Sequence, residues 1–288
     1  MRKQLQARRI VITGGSGGIG QCLAEEAARR GARLILAARS ADKLRQLADR
    51  LTAQGGEVLA VTADVTSDAD RRLIIDTAVR RFGGLDVLIN NAGIGSFGHF
   101  AESSEAVLRQ IMEVNFFAPA ELIRLAIPFL RNGVQPAIVN VSSMCGRRGV
   151  PAWPEYSASK FALCGLTEAL RGEMARFDID VLLIVPGLTR TDLMAHLLRN
   201  EGRMKIAAAM DKGLTPEETA AGILEALVKN RTEVVLGWEA RWILRVNRFL
   251  PRLVDRLMAR RVRQLYRDEV EQAAEYASGG QNSAAAGR

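Results

Sequence analysis

The fold of this chain is decided by residues 10–20, which read Ile10-Val11-Ile12-Thr13-Gly14-Gly15-Ser16-Gly17-Gly18-Ile19-Gly20. The first three are β-branched and apolar, a run that is typical of a buried parallel strand. The glycines follow at once, and a helical pattern of apolar residues then continues from Cys22 to a stop at Gly31. A strand, a glycine-rich turn and a helix in this order predict a loop that holds a pyrophosphate at a helix N-terminus.

Strand and helix patterns alternate along the chain as far as Leu236. Short apolar runs predict further strands over Arg33–Ala37, Glu57–Val61, Asp86–Asn90, Ala137–Val141, Asp180–Val185 and Glu233–Leu236. Helical patterns lie between them, including Ala41–Gln54, Ser67–Phe82 and a long stretch over Glu105–Leu130 that we expect to be interrupted near Pro119. This alternation predicts an α/β fold over residues 1–237, with a single doubly wound parallel seven-stranded sheet of the Rossmann type.

Tyr156 and Lys160 lie four residues apart, so they share one face of a helix. An ammonium group beside a phenol favours its ionised form, and we therefore expect the tyrosine to exchange protons closer to neutral pH than its usual pKa near ~10 allows. Ser143 can offer a hydroxyl to a carbonyl or alcohol oxygen. Taken alone, such a pair is more often a solvated helix face, and its weight comes from the rest of the chain.

Together these features resemble the short-chain dehydrogenase/reductase family, and the resemblance covers roughly residues 8–236. Residues 13–20 match its Thr-Gly-x-x-x-Gly-x-Gly cofactor loop, and residues 90–93 match its Asn-Asn-Ala-Gly segment. Residues 186–191 match its Pro-Gly-x-(Val/Ile)-x-Thr nicotinamide loop, except that Thr189 stands where the family prefers a β-branched aliphatic residue. The family's catalytic four are matched by Asn115, Ser143, Tyr156 and Lys160.

The resemblance implies hydride transfer between a nicotinamide and a carbonyl or secondary alcohol, without a metal. It makes Tyr156 the general acid in reduction, with Lys160 holding its pKa and binding the ribose hydroxyls. Ser143 polarises the substrate oxygen, and Asn115 holds a water that links Lys160 to solvent. The cofactor-binding residues that it implies are Gly14, Ser16, Gly18, Ile19, Gly20, Arg39, Ser40, Asp64, Val65, Asn91, Ala92, Gly93, Tyr156, Lys160, Pro186, Gly187, Thr189 and Thr191.

The end of the second predicted strand bears on which nicotinamide cofactor binds. A fold specific for NAD(H) carries an acidic residue there for the ribose 2′-hydroxyl, and residues 37–40 contain none. Arg39 instead offers a planar fork of donors that suits a phosphate. We therefore interpret Arg39 and Ser40 as a 2′-phosphate clamp and expect NADP(H) rather than NAD(H).

The substrate is less sharply defined by the sequence. Apolar residues after Ser143, including Trp153, and a segment rich in Met, Leu and Ala over residues 192–213 favour a lipophilic steroid, ketone or acyl substrate. In the resembling family the second segment forms a lid. Arg147 and Arg148 could meet an anionic group, although paired loop arginines are usually solvated. A non-catalytic NADP(H)-binding redox sensor or scaffold is the alternative function, and a homodimer or homotetramer is the expected assembly.

Composition limits the compartment and the partners. The chain has 288 residues, 48% of them hydrophobic, and three cysteines that are too few and too widely spaced for a disulfide framework. Its first nine residues are polar and no apolar stretch is long enough to span a bilayer, so we expect a cytoplasmic protein.

The net charge of +8 is confined to one region of the sequence. Nine arginines and one acidic residue, Asp255, lie between Arg241 and Arg267, whereas the remaining residues carry 31 basic and 31 acidic side chains. Apolar residues and arginines alternate there at helical spacing on both sides of Pro251, which predicts a basic amphipathic helical extension over residues 238–276. Residues 277–288 are small and polar, and we expect a disordered tail.

Two roles for the extension remain open from the sequence. Its apolar face can pack on the catalytic body or on a second subunit, or residues 238–267 can lie peripherally on an anionic membrane surface. Nucleic-acid binding is disfavoured, because the fold is not a nucleic-acid module.

Overall fold

The structure, a computed structural model, describes residues 4–191, 193, 197–198 and 213–264. The chain divides into two compact units, residues 1–241 and residues 242–288. This division lies somewhat later in the chain than the boundary at residue 237 that the composition predicts.

The first unit contains the predicted parallel sheet of seven strands, in the order β3-β2-β1-β4-β5-β6-β7. Its strands are β1 (Arg9–Thr13), β2 (Arg33–Ala38), β3 (Glu57–Thr62), β4 (Val87–Asn90), β5 (Ala137–Val141), β6 (Asp180–Pro186) and β7 (Glu233–Leu236). The strand order reverses between β1 and β4, and the carboxyl ends of parallel strands at such a switch point form a crevice for ligands. The Rossmann-type α/β prediction is confirmed.

Helices cover both faces of this sheet. They are α1 (Gly18–Arg29), α2 (Ala41–Ala53), α3 (Asp68–Phe82), α4 (Glu105–Met112), α5 (Ala118–Leu130), α6 (Pro154–Met174) and α7 (Pro216–Val228). A further helix, α8 (Trp238–Phe249), begins in the first unit and continues into the second. The central strands are apolar on both faces because each face packs against helices. One polar path crosses this core: Asn90 donates to Asn140 at 2.8 Å, and Asn140 donates to Thr167 on α6 at 2.9 Å.

The predicted interruption of the long helical stretch is a π-helical turn over Glu113–Phe117, between α4 and α5. It therefore precedes Pro119 rather than lying at it. Pro119 has no backbone N–H, so the carbonyl of Asn115 lacks the donor that an α-helix would supply four residues later. The widened turn places Asn115 at the edge of the sheet where β4 ends.

The second unit is helical where it is described. Helix α8 ends at Phe249, Leu250 is not helical, and helical backbone resumes over residues 251–264. Pro251 thus starts the second stretch, a position where its missing N–H costs nothing. The predicted tail over residues 277–288 lies outside the described residues. Among the described helices none is long and apolar enough to cross a membrane.

Candidate active site

The loop between β1 and α1 can hold a phosphate group close to the backbone. Gly14 and Gly18 have φ angles of +69° and +50°, a region that side chains rarely adopt. A Cβ on Gly20 would overlap the carbonyl oxygen of Gly14, so the helix can approach the loop only with glycine there. Ser16 and Ile19 are half-buried in the same loop. The first N–H groups of α1 have no partner within the helix, and this end of the helix suits the pyrophosphate of a dinucleotide.

Thr13 and Asn91 brace this loop from the neighbouring strand. The hydroxyl of Thr13 accepts from the backbone N–H groups of Asn91 and Ala92, both at 3.1 Å. The side-chain amide of Asn91 donates in return to the carbonyl of Thr13 at 3.0 Å. Asn91, one of the predicted cofactor-binding residues, therefore holds the glycine-rich loop in place. The role of Thr13 was missed, although its place in the motif was a signal.

Arg39 and Ser40 lie side by side at the exposed carboxyl end of β2. Ser40 occupies the N-cap position of α2, but its side chain makes no capping hydrogen bond. Arg39 forms no ion pair in the described part of the chain, and its charge acts on Asp64. Burial raises the pKa of Asp64, but hydrogen bonds from Thr66 and the charge of Arg39 outweigh that effect and leave the pKa below its usual value. Both predicted clamp residues therefore have free polar groups at this edge.

The segment that follows β3 is held by an arginine that the sequence did not single out. Arg71 is 8% exposed and donates to the carbonyls of Val65 and Thr66 at 2.9 and 2.7 Å. The carboxylate of Asp64 accepts from the backbone and the hydroxyl of Thr66 at 2.9 and 2.8 Å. These contacts fix Asp64 and Val65, which are two of the predicted cofactor-binding residues. Arg71 could have been suspected only from its place on the inner face of α3.

The loop after β6 closes the opposite side of the crevice. Gly187 donates to the carbonyl of Leu236 at 2.9 Å, directly after Pro186. The hydroxyl of Thr189 lies 3.3 Å from that of Thr219, a fully buried residue of α7. This polar pair explains how a threonine fits where an aliphatic residue is preferred. Thr191 lies over the start of α1, since a Cβ on Gly18 would be 3.4 Å from its methyl carbon.

Asn115 is buried and its side chain is fully engaged with two segments. Its amide donates to the carbonyl of Ile94 at 2.9 Å and to the hydroxyl of Ser159 at 3.0 Å. Its side-chain oxygen accepts from the N–H of Ile94 at 2.9 Å. The side chain thus joins the segment after β4 to α6. Gly93 lies between Asn115 and Lys160. A Cβ added to Gly93 would be 3.2 Å from the side-chain oxygen of Asn115 and 3.5 Å from the ammonium nitrogen of Lys160.

Ser143 and Tyr156 come close together at the carboxyl end of β5. The hydroxyl of Ser143 accepts from the backbone N–H of Cys145 at 3.2 Å. Burial, followed by the nearby Cys145, raises the pKa of Tyr156, and the hydroxyl of Ser143 offsets only part of this effect. The phenol therefore stays protonated at neutral pH, as a proton donor must.

Lys160 lies on the same face of α6 but does not lower the pKa of Tyr156. Its ammonium donates to the carbonyl of Val141 at 3.1 Å and is 5.7 Å from the centre of the tyrosine ring. Burial lowers the pKa of Lys160 to about 8. The expectation that the lysine brings the tyrosine towards neutral pH is wrong for this structure, because desolvation of the phenol is the larger effect.

An apolar wall lies beside Tyr156. The rings of Phe97, Trp153 and Tyr156 form two edge-to-face contacts, with centroids 5.4 and 5.5 Å apart. Around Gly95, a Cβ would lie 2.7 Å from Leu197 and 3.2 Å from Trp153. Most of the predicted lid over residues 192–213 lies outside the described residues, but Leu193 and Leu197 belong to this wall.

Arg147 does not face the crevice as an anion-binding residue. Its guanidinium contacts Glu168 on α6 at 2.5 Å and Glu233 on β7 at 2.8 Å. The interpretation as a possible substrate contact, or as a solvated loop arginine, is wrong for this residue. In the part of the chain that the structure describes, no group of three or more His, Cys, Asp or Glu residues could hold a metal ion.

Known proteins share this arrangement of motifs. A family model described as short chain dehydrogenase matches residues 8–202. The uncharacterized oxidoreductase YxnA of Bacillus subtilis (strain 168) is 34% identical over 259 residues, which are 89% of this chain and 72% of that protein. The 11-beta-hydroxysteroid dehydrogenase A of Sesamum indicum is 39% identical over 199 residues, which are 68% of this chain and 57% of that protein.

Among solved structures, a short chain dehydrogenase/reductase from Burkholderia phymatum in complex with NAD superposes with a TM-score of 0.80. The two are 28% identical, and the match covers 87% of this chain and 96% of that chain.

Proposed function

Because the chain belongs to the short-chain dehydrogenase/reductase family of NAD(P)-dependent oxidoreductases, we propose that it transfers hydride between NADP(H) and the carbonyl or secondary alcohol of a lipophilic substrate. The chain is an enzyme of the class that acts on CH–OH groups. The observation that carries the proposal is the grouping of Ser143 with the buried Tyr156 and Lys160, in which the lysine ammonium lies 5.7 Å from the centre of the tyrosine ring.

Two residues of the site take part in the transfer of a proton to the substrate oxygen. Tyr156 donates its phenolic proton to the substrate oxygen in reduction, since its raised pKa keeps that proton in place at neutral pH. Ser143 donates a hydrogen bond to the same oxygen, where negative charge builds up during the reaction. Lys160 is mostly cationic below its pKa of about 8, and we assign it to the ribose hydroxyls of the cofactor rather than to the pKa of the tyrosine.

The proton is replaced from solvent through a water at Asn115. The two N–H groups of the Asn115 side chain donate to Ile94 and to Ser159, so neither is available to that water. Its backbone carbonyl lacks the usual donor because residue 119 is proline. We assign the water that the resemblance places at Asn115 to this backbone carbonyl.

NADP(H), when bound, supplies or accepts the hydride at its nicotinamide ring. The fit of the site is supported by the glycine-rich loop, which lies so close to α1 that a Cβ on Gly20 would overlap the backbone carbonyl of Gly14. The uncapped hydroxyl of Ser40 and the unpaired guanidinium of Arg39 favour a 2′-phosphate. The structural neighbour from Burkholderia phymatum was solved with NAD, so the choice of NADP(H) depends on Arg39 and Ser40.

A lipophilic substrate is supported by the wall of Phe97, Trp153, Leu193 and Leu197. Aromatic and aliphatic side chains dominate the pockets that bind apolar ligands. The similarity to a plant steroid dehydrogenase is consistent with a ligand of this kind.

The test is turnover by a Tyr156→Phe variant, measured as loss of NADPH absorbance against a panel of aliphatic, aromatic and steroid ketones. We expect wild-type protein to reduce at least one lipophilic ketone, and the variant to lose turnover while it still binds NADPH. Turnover near the wild-type rate in the variant would rule out the assigned role of Tyr156. NADPH binding without reduction of any carbonyl would favour the redox sensor or scaffold.

A further inference from the structure

Exposed aromatic residues form a stripe along one face of helix α8. Trp238, Trp242 and Phe249 are 70%, 58% and 75% exposed. Their spacing of four and eleven residues puts them within about 40° of one another around the helix axis. Ala240, which faces the other way, is only 2% exposed. Side chains of this size are rarely left in water along one line unless the surface has a partner.

The helical stretch 251–264 repeats this arrangement with aliphatic residues. Leu253 and Leu257 lie one turn apart and are 42% and 57% exposed, and Leu250 just before them is 55% exposed. Val254, three residues before Leu257, is 7% exposed, so a buried side chain borders the exposed ones in this stretch. In α8 the exposed aromatic residues lie opposite the buried Ala240.

Arginines flank these apolar residues throughout the segment. Exposed arginines stand at positions 245, 248, 252, 256, 260, 261 and 263, at intervals of one to four residues. None of them forms an ion pair in the part of the segment that the structure describes, and Arg248 lies 5.9 Å from the ring centre of Phe249. Since the residues outside Arg241–Arg267 are electrically balanced, this region dominates the electrostatic attraction of the whole protein to an anionic surface.

We propose that residues 238–264 form a docking surface for an anionic lipid bilayer. Tryptophan and phenylalanine insert at the level of the lipid headgroups, and arginines bind the phosphates around them in bidentate fashion. Each cationic side chain near such a membrane adds to the attraction, and a segment with many of them attaches without spanning the bilayer. The proposal is independent of the assigned reaction.

A second copy of the chain suits this surface less well. In a symmetric dimer the same patch meets itself, which would bring two arginine-rich faces together with only Glu239 and Asp255 as acidic residues in each described segment. Nucleic acid would use the arginines but would leave the apolar stripe exposed to water. The bilayer accounts for both features, and the other partners become outcomes of the test.

The experiment is co-sedimentation of the full chain with vesicles of phosphatidylcholine alone or of phosphatidylcholine mixed with phosphatidylglycerol. We expect binding to the anionic vesicles at low salt, release as the salt concentration rises, and little binding to neutral vesicles. Trp242→Ala/Phe249→Ala and Arg256→Gln/Arg260→Gln should each weaken binding by roughly tenfold or more. There are two matched controls. Phe100→Ala removes a ring that is 64% exposed but lies outside the docking surface, and Arg109→Gln/Arg124→Gln removes two exposed arginines of α4 and α5. Both control variants should bind the vesicles as the wild type does.

Three results would overturn the proposal. Equal binding to neutral vesicles would show nonspecific adhesion of the apolar stripe. Unchanged binding of the Trp242→Ala/Phe249→Ala variant would show a polyanion site that does not enter the bilayer. Absence of binding, together with a dimer in sedimentation velocity that this variant loses, would assign the stripe to a second copy. Circular dichroism and retained NADPH affinity show that each variant is folded.

Discussion

The side-chain amide of Asn115 donates to the hydroxyl of Ser159 at 3.0 Å, across a buried contact between the π-helical turn and helix α6. Ser159 in turn donates to the carbonyl of Tyr156 at 2.8 Å. Ser159 thus connects two predicted catalytic residues without facing the substrate itself. It acts by positioning, and its importance was not evident from its place between Tyr156 and Lys160.

The first prediction concerns this contact. Ser159→Ala should leave one N–H of Asn115 without its partner and cost about 1–2 kcal/mol of folding free energy. We expect kcat to fall roughly tenfold, because the π-helical turn and α6 are no longer held in register. Steady-state kinetics and denaturant unfolding measure the two effects. Ala158→Ser, exposed on the same helical turn, is the control, and equal loss in both variants would contradict a specific role for the bond.

The second prediction concerns the glycine-rich loop. Gly20→Ala should abolish NADPH binding or destabilise the fold, because the added methyl group would overlap the carbonyl of Gly14. Gly17→Ala provides a matched control, since a Cβ there meets nothing within 4 Å and the φ angle of −175° suits any residue. Fluorescence titration with NADPH measures both. Full affinity in the Gly20→Ala variant would mean that α1 does not need this close approach.

The third prediction separates the two nicotinamide cofactors. Arg39→Asp should weaken NADPH binding by at least ~2 kcal/mol, because it removes a charge-assisted contact and adds a repulsive carboxylate beside the phosphate. NADH should be affected much less, and Arg45→Asp, exposed on α2, should preserve the preference of the unmodified protein. Isothermal titration with both cofactors is the measurement. Equal affinity of the unmodified protein for NADPH and NADH would refute the 2′-phosphate clamp.

The fourth prediction follows from the buried Lys160. Its pKa is about 8 in the folded protein and 10.5 when exposed, so between these values the unfolded chain binds a proton that the folded chain does not. Stability should therefore increase with pH across this window, by about 2 kcal/mol from pH 8 to pH 10. Lys160→Met should lack this increase. Urea unfolding of both proteins at several pH values measures this increase. If the free energy of unfolding changed with pH in the same way in both proteins, the pKa of Lys160 would not be lowered in the folded state.

That window is limited at high pH by Tyr156. Burial raises its pKa above the usual value, so the unfolded chain loses this proton first and the folded state becomes less stable as pH rises above ~10. Tyr156→Phe should remove this second effect and leave the increase below pH 10 intact. The double variant should show neither effect.

The sequence by itself determined the sheet and the strand ends at which the motif residues stand. The apolar runs predicted the strands closely, and the motif residues stand at strand ends because parallel strands present their carboxyl ends at one edge. These features depend on periodicity and on turns between neighbours, which act over short distances along the chain. The same reasoning predicted the break beside Pro119, although not that it would be a π-helical turn.

Only the tertiary structure decided how the site residues are held and charged. Thr13 meets Asn91, and Arg147 meets Glu168 and Glu233, through hydrogen bonds and ion pairs between distant parts of the chain. Such contacts depend on strand order and on helix packing, which spacing along the chain does not reveal. The pKa of Tyr156 is the clearest case: the nearby Lys160 suggested a lower value, but burial in the assembled fold raises it, because desolvation depends on everything that surrounds the phenol.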